Sequence, residues 1–323
     1  MVNIAINGYG NLGRGVEKAL ALAPDLKCVG VFTRRDPETV ETFGAPVYPL
    51  VALADFSDEI DVVINCGGSA TDLELQGPEV AAHFNVVDSF DTHAKIPEHF
   101  AKMDEVARSA GTVAIISSGW DPGLFSMLRV LGESVLPQGV STTFWGRGVS
   151  QGHSDAIRRI DGVIDARQYT VPVSETVAAV KSGSASGFST REMHTRECFV
   201  VAEEGADLTR IEQEIVTMPN YFADYDTTVT FISHEELLRD HAGIPHGGEV
   251  IRTGETSEGV SHAVTFQLDL DSNPEFTGSV LVATARACAK KAERRELGAF
   301  TVFDLSLAEL SPLSGEELRA QKL

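Results

Sequence analysis

The alternating apolar run Val2, Ile4, Ile6 leads straight into NGYGNLGR, where Gly8, Gly10 and Gly13 stand in G-x-G-x-x-G register. Leu12, Val16, Ala19 and Leu20 then recur at helical spacing until Pro24 ends the pattern. Strand, glycine turn and helix in this order open a dinucleotide-binding βαβ unit. Gly8 permits the tight turn, Gly10 lets the backbone approach a pyrophosphate, and Gly13 lets helix and strand pack closely. The open N–H groups at the helix start then hold the pyrophosphate.

The next strand bears on the cofactor. KCVGVFTRRD ends in Thr33, Arg34 and Arg35, where an NAD site carries an acidic residue and an NADP site an arginine. Guanidinium forks suit a 2′-phosphate. Asp36 follows at once and a solvated basic pair is the alternative, yet two adjacent arginines favour NADP. Val62 to Ile64 read as a further strand, ending in the small residues Cys66, Gly67, Gly68 and Ser69. These would let a cofactor cross the strand's carboxyl end.

QGPEVAAHF, NVVDSF, PEHFAKMDEVARSAG and TVAIIS continue as helix, strand, helix, strand. Such alternation predicts an α/β fold with a doubly wound parallel sheet, whose crevice lies beyond the carboxyl ends of the strands. SFDTH and SSGWDPG occupy those ends and place Asp91 and Asp121 near the crevice, with Trp120 beside the second.

After SSGWDPG the pattern changes. ARQYTVPV, RECFVVAE and TTVTFISH read as strands without regular helices between them, which predicts an α+β second domain with a mixed or antiparallel sheet. The expected division is a dinucleotide-binding domain over 1–120, with 290–323 returning to it, and a second domain over 121–289. A chain of 323 residues accommodates both.

Lys+Arg 26 against Asp+Glu 47 give a net charge of −21, which argues against nucleic acid and anionic membranes as partners. Any anionic ligand must therefore be met by a few placed cations. Cys28, Cys66, Cys198 and Cys288 have no C-x-x-C spacing, so neither a disulfide framework nor a bound metal is expected. MVNIAING reads as a strand rather than a secretory leader, and no apolar stretch reaches the about 20 residues of a membrane span. A cytoplasmic protein is expected.

NGYGNLGR, CGGSATD, SSGWDPG, FWGRGVSQGHSDAIRRI, QYTVP, CFVVA, MPNYF, IPHGGEVI and GAFTV together closely resemble the meso-diaminopimelate dehydrogenases of bacteria. The motifs keep the same order from the first strand to about residue 303. At Gly67 the family pattern carries a larger residue. The resemblance implies a Rossmann-type domain joined to an α+β substrate-binding and dimerisation domain, in a homodimer whose two domains close on substrate. The implied reaction is NADP-dependent oxidative deamination at the D-centre of meso-2,6-diaminopimelate, giving L-2-amino-6-oxopimelate, ammonia and NADPH.

Carried onto this chain, the resemblance assigns cofactor contacts to the glycine turn with Tyr9, Asn11 and Leu12, to Thr33, Arg34 and Arg35, and to Cys66 through Ser69. Ser89, Phe90 and Asp91 in one turn, and Gly119, Trp120, Asp121 and Pro122 in another, complete that set. It assigns substrate contacts to Asp91, Asp121, Trp145, Gln151 and Gly152, and to Thr170, Arg196, His246 and Asn273.

The residue types suit the chemistry. Arg196 can fork onto a carboxylate, and Thr170, His246 and Asn273 can complete that end. Asp91 and Asp121 can hold the reacting ammonium as catalytic carboxylates. His153 is a candidate general base because imidazole ordinarily titrates near neutrality; the alternative is that it only bonds neighbouring backbone or Asp155. His241 and His246 read as hydrogen-bonding residues. Two other functions fit the same cofactor motifs, an NADP-dependent dehydrogenase of another D-amino acid and a non-catalytic NADPH-binding sensor.

Changing Arg34 and Arg35 together to Ala is expected to raise the KM for NADP at least about tenfold while NAD changes little. Each charge-assisted bond to phosphate is worth about 1.5–3 kcal/mol, and tenfold corresponds to about 1.4 kcal/mol. Initial rates with both cofactors check this, and an unchanged preference would remove the assignment.

Overall fold

The computed structural model describes residues 1–184 and 186–323, and of Ala70 the backbone alone. The chain divides into two units, Met1–Met127 with Pro274–Leu323, and Leu128–Asn273.

The first unit holds β1 (Val2–Asn7), β2 (Leu26–Thr33), β3 (Val47–Pro49), β4 (Val62–Asn65), β5 (Asn85–Asp88), β6 (Val113–Ile115) and, late in the chain, β14 (Gly298–Phe300). They form one sheet in the order β14-β6-β5-β4-β1-β2-β3, every neighbouring pair parallel. Helices α1 (Asn11–Ala21), α2 (Glu74–Ala81) and α3 (Ile96–Ala110) connect strands of this sheet. Val62, Val63 and Ile64 are fully buried in succession, the mark of a strand covered on both faces. This is the Rossmann-type doubly wound architecture that the alternation of elements implied.

Two features exceed the sequence reading. The short strand β3 has only three residues and no apolar run to announce it. The return to the first unit begins at Pro274, not at residue 290. The helix Asn273–Glu293 belongs to this unit from its second residue because two glycines let it touch α1 backbone to backbone. A Cβ on Gly278 would stand 2.5 Å from the Gly15 carbonyl carbon, and one on Gly15 would stand 2.5 Å from the Pro274 oxygen. Leu281, Ala285 and Cys288 of this helix are fully buried in the sheet's core. Likewise the first unit extends through Met127 rather than stopping at residue 120.

Helix α4 (Leu124–Val135) carries the chain onward. The second unit contains β7 (Gly139–Trp145), β8 (Gly148–Val149), β9 (Val163–Pro172), β10 (His194–Ala202), β11 (Asp226–Phe231), β12 (His246–Ser257) and β13 (Val260–Leu270). Helix α5 (Gln151–Arg158) follows β8. One sheet runs β11-β10-β9-β8 and is mixed, since only β10 and β11 pair in parallel. The other, β13-β12-β7, is antiparallel. Strands β9, β10 and β11 were legible in the sequence, while the long hairpin β12–β13 was not. Its second strand is exposed almost throughout, so no buried face marks it.

Leu131 and Val135 of α4, with Val264 and Phe266 of β13, are exposed apolar side chains lining one groove with Val250 and Arg252. Among the described residues no helix is long and apolar enough to cross a membrane.

Candidate active site

The sheet order of the first unit reverses between β1 and β4, and a groove opens at their carboxyl ends. Asn7, Gly8, Tyr9 and Gly10 line it from one side, Phe32 through Arg35 from another, and Cys66 through Gly68 with Asp72 and Gln76 close it. Beneath it Asn7 Nδ2 donates to Asn65 Oδ1 at 2.8 Å, tying the two strand ends together.

The three glycines do three different things. Gly8 has φ +96°, a conformation that favours glycine. A Cβ on Gly13 would stand 2.2 Å from the Gly8 carbonyl oxygen, whereas a Cβ on Gly10 would meet nothing within 4 Å. Gly10 caps α1 without any side-chain hydrogen bond. The first-turn N–H groups of Asn11, Leu12 and Gly13 are thus left for an anion, where the helix dipole favours one. The Leu12 side chain turns into the core instead.

Arg35 Nη2 donates to the Tyr9 carbonyl, which lays its guanidinium against the glycine turn, and Thr33 Oγ1 accepts the Arg35 N–H at 3.1 Å. Arg34 reaches Asp72, Nη2 to Oδ1 2.7 Å. Asp72 also accepts from the Gly68 N–H and the Thr71 hydroxyl, each at 3.1 Å. Burial alone would raise its pKa, but these donors and Arg34 outweigh burial and hold the carboxyl below its usual range. Asp36, the residue that complicated the choice of cofactor, accepts the Glu38 N–H at 3.1 Å and caps its own turn. It does not line the groove. Asp72 and Gln76 escaped the sequence reading, although Asp72 ends the quoted CGGSATD motif.

Ser69, Ser89, Phe90 and Asp91 follow β4 and β5. Ser69 Oγ accepts the Asp91 N–H at 3.0 Å, which joins those two loops. After β6 the segment Gly119–Trp120–Asp121–Pro122 forms a tight corner, closed by the Gly119 N–H to the Pro122 carbonyl at 2.9 Å. Trp120 is buried edge-on against Phe125, with ring centroids 5.4 Å apart.

In the second unit Thr170 of β9 lies directly across from Arg196 of β10, and Gly148 of β8 pairs with Thr170 on its other side. Arg196 is only 6% exposed. Its Nη1 donates to Thr170 Oγ1, its guanidinium lies 3.8 Å from the Tyr225 ring centroid, and its buried Nε has no partner among the described residues. Among the described residues no carboxylate pairs with it. Burial pulls Arg196 below the ordinary guanidinium value. His246 packs on Gly148, where a Cβ would stand 2.4 Å from His246 Cγ. The Asn273 N–H donates to the Ile244 carbonyl at 2.9 Å, bringing that residue beside the same strand. The Trp145 N–H donates to His194 Nε2 at 3.0 Å. Gln151, Gly152 and His153 open α5, capped by Ser150.

Of the predicted substrate residues of this unit, Thr170 touches Arg196 directly, and His246 packs on Gly148, the residue paired with Thr170. His194 and Tyr225 were missed, although His194 stands two residues before Arg196 on the same face of β10. Gln168 was missed too, a fully buried amide whose side-chain atoms have no partner. Only its place two residues before Thr170 on β9 could have shown it.

His153, read either as a general base or as a residue that bonds its neighbours, has a local hydrogen bond. Its Nδ1 lies 2.6 Å from Ser150 Oγ, and Tyr221 and Phe222 meet its ring edge-on. Burial first, and then the charge of Arg196, push its pKa down to about 4, far from neutrality. The same causes bring His194 to about 4. His241 is a hydrogen-bonding residue, its Nδ1 2.9 Å from the Tyr169 hydroxyl.

The family model described as the diaminopimelic acid dehydrogenase C-terminal domain matches residues 119–272. The meso-diaminopimelate D-dehydrogenase of Ureibacillus thermosphaericus is 57% identical over 323 residues, spanning 100% of this chain and 99% of that one. The chain belongs to the meso-diaminopimelate D-dehydrogenase family. A sixfold variant of the Clostridium tetani family member, determined with DAP, superimposes with TM-score 0.95 at 51% identity and full coverage of both chains. An engineered D-amino acid dehydrogenase bound to NADP+ gives TM-score 0.88 at 43% identity, covering 100% of this chain and 99% of that one.

The lowered imidazoles make a pH prediction. Native His153 and His194 refuse a proton that the unfolded chain accepts below about pH 6.5. Stability is therefore full above that pH and falls as pH drops toward about 4, each imidazole adding a slope of up to about 1.4 kcal/mol per pH unit. Urea unfolding at pH 7.5 and 5 checks this, and His153→Phe is expected to lose less stability between the two than wild type.

Proposed function

We propose that the protein oxidises meso-2,6-diaminopimelate at its D-centre with NADP, releasing L-2-amino-6-oxopimelate, ammonia and NADPH. The observation that carries this reading is Arg196, a buried cation whose Nη1 donates to Thr170 and whose Nε has no partner among the described residues. A buried charge is retained where something compensates it, and a substrate carboxylate would do so. The substituted residues of the C. tetani variant are Gln, Thr, Arg, Pro, His and Asn. The same types occur here in the same order and at the same spacing, as Gln151, Thr170, Arg196, Pro245, His246 and Asn273.

The first unit binds the cofactor. The glycine turn and the first turn of α1 take the pyrophosphate, and Arg34 and Arg35 take the 2′-phosphate. When bound, NADP supplies the acceptor for the hydrogen that leaves carbon with its electron pair. The protein supplies the rest. Asp91 and Asp121 hold the amino group of the reacting end. Arg196, Thr170, His246 and Asn273 hold the far end, which must be read because both centres carry the same groups. A flipped substrate leaves those partners unpaired, and that difference is the selectivity. His153 is neutral at physiological pH and so free to accept a proton, though a weak base while Arg196 is uncompensated. A carboxylate on Arg196 removes part of that repulsion and raises the basicity of His153 as substrate binds.

The protein works as a homodimer, joined through the exposed apolar face of α4 and β13. β13 is the edge of its sheet, and an uncovered apolar edge strand favours pairing with another chain. Its four cysteines are free among the described residues, in keeping with a reducing cytoplasm.

Kinetic and sedimentation measurements test these statements. NADP reduction is expected with meso-diaminopimelate and not with the LL isomer, which lacks a D-centre. Arg196→Met is expected to cut kcat/KM a hundredfold or more, from a lost charged partner worth a few kcal/mol. Cofactor affinity is expected to stay nearly intact. The same change is expected to favour D-amino acids with apolar side chains relative to wild type, and unchanged selectivity would overturn the role of Arg196. In sedimentation the wild type is expected to run as a dimer and the Val264→Glu/Phe266→Glu variant as a monomer; a monomeric wild type would remove the dimer.

A further inference from the structure

The loops bearing Asp91 and Asp121 follow β5 and β6, and one buried carboxylate joins them from behind. Asp88 is the last residue of β5 and fully buried. Its Oδ1 accepts the N–H of Phe90 at 3.0 Å and that of Ser117 at 2.9 Å, while its backbone carbonyl accepts the Ser118 N–H at 2.9 Å. Its Oδ2 accepts from His99 Nε2 on α3 at 2.9 Å. The His99 side chain is 2% exposed, and its ring stacks on Phe90 with centroids 4.1 Å and planes 16° apart. Ser117 has φ +55°, a left-handed conformation that a residue other than glycine holds only where its surroundings over-determine it.

The carboxylate thus fixes two points at once. Phe90 immediately precedes Asp91, and the Ser117–Ser118 corner leads through Gly119 and Trp120 to Asp121. Neither Asp88 nor His99 lines the dinucleotide groove, and although the Asp88 backbone pairs with Asn65, its side chain takes no part in the ladder between β5 and β6, made at Val86 and Val87. Two backbone donors and an imidazole on one buried carboxylate are geometry beyond what the strand pairing requires.

We propose that Asp88 and His99 form a positioning pair for the reaction. The carboxylate sets the two loops relative to each other, and His99, held by its hydrogen bond on one edge and by Phe90 on its face, keeps the carboxylate in the single rotamer that reaches both. Asp91 and Asp121 then present to the same ammonium group, so the inference rests on the function proposed above.

His99→Phe keeps the stacked ring and removes the donor, while His99→Gln restores a donor of similar reach. The expected result is a loss of about tenfold or more in kcat on meso-diaminopimelate for His99→Phe, as misplacement by a fraction of an ångström produces. The Kd for NADP, from fluorescence titration, is expected to move less than about threefold. His99→Gln is expected to recover most of kcat. Amide exchange at Phe90, Ser117 and Ser118 is expected to quicken in His99→Phe alone. Should that variant not fold, His99→Ala carries the same comparison. Wild-type protein without turnover on meso-diaminopimelate overturns the proposed function. Active wild type, with a folded His99→Phe of equal kcat and unchanged amide exchange, overturns the positioning pair and leaves the function standing. A kcat loss matched in His99→Gln would make the pair structural only and would overturn it too.

Discussion

The turn between β1 and α1 depends on a contact that leaves no room for a single methyl group. A Cβ on residue 13 would lie 2.2 Å from the Gly8 carbonyl oxygen, well inside any tolerable separation. That contact sets the helix against the end of the central strand, and it points the uncapped N–H groups of α1 into the groove. β1 pairs with both β2 and β4, so the direction of this one turn decides where the groove lies relative to Arg34, Arg35 and Cys66. The second close approach, between Gly15 and Gly278, draws the long helix of the C-terminal segment onto the same helix. Two backbone contacts on α1 thus organise the first unit from both ends of the chain.

Charge is the second constraint. A protein of net charge −21 repels anionic ligands at long range, and both candidate sites answer with cations held in place locally. Arg34 and Arg35 are exposed and tethered, one by Asp72 and the other by the Tyr9 carbonyl. Arg196 is buried with no anionic partner among the described residues; burial lowers its pKa, and burial together with its charge lowers those of His153 and His194. An exposed tether costs little and yields readily to a phosphate. A buried cation carries a desolvation cost that only a compensating anion offsets. The contrast suits a cofactor that must exchange and a substrate whose two ends must be told apart.

Much of this is legible in the sequence, for a reason that differs by region. The parallel sheet showed itself because its strands are buried on both faces and its helices are amphipathic, so hydrophobic period alone separates them. The cofactor groove showed itself because backbone geometry demands glycine at fixed spacing, and that demand is local. The residues proposed for the far end of the substrate were singled out only through resemblance, since Thr170, Arg196, His246 and Asn273 have no spacing that announces a site. Asp72, His194, Gln168 and the pair Asp88–His99 stayed hidden. Asp72, His194, Asp88 and His99 each act through a partner distant in sequence, and a lone Asp or His carries no sign of which partner it will find; Gln168 is marked only by its burial.

The sequence by itself determined the order of strands and helices in the first unit, the phosphate turn at Gly8 to Gly13, and the basic pair that follows β2. These rest on interactions between residues close along the chain, or on a periodic pattern that any folded context must respect. Tertiary structure alone decided that the helix from Pro274 returns to α1, that Asp36 caps a turn while Asp72 holds Arg34, and that His153 sits beside a buried guanidinium. Composition cannot foretell a pKa moved by burial, nor a contact between residues 15 and 278. Desolvation and long-range packing come into being only when the chain has closed on itself.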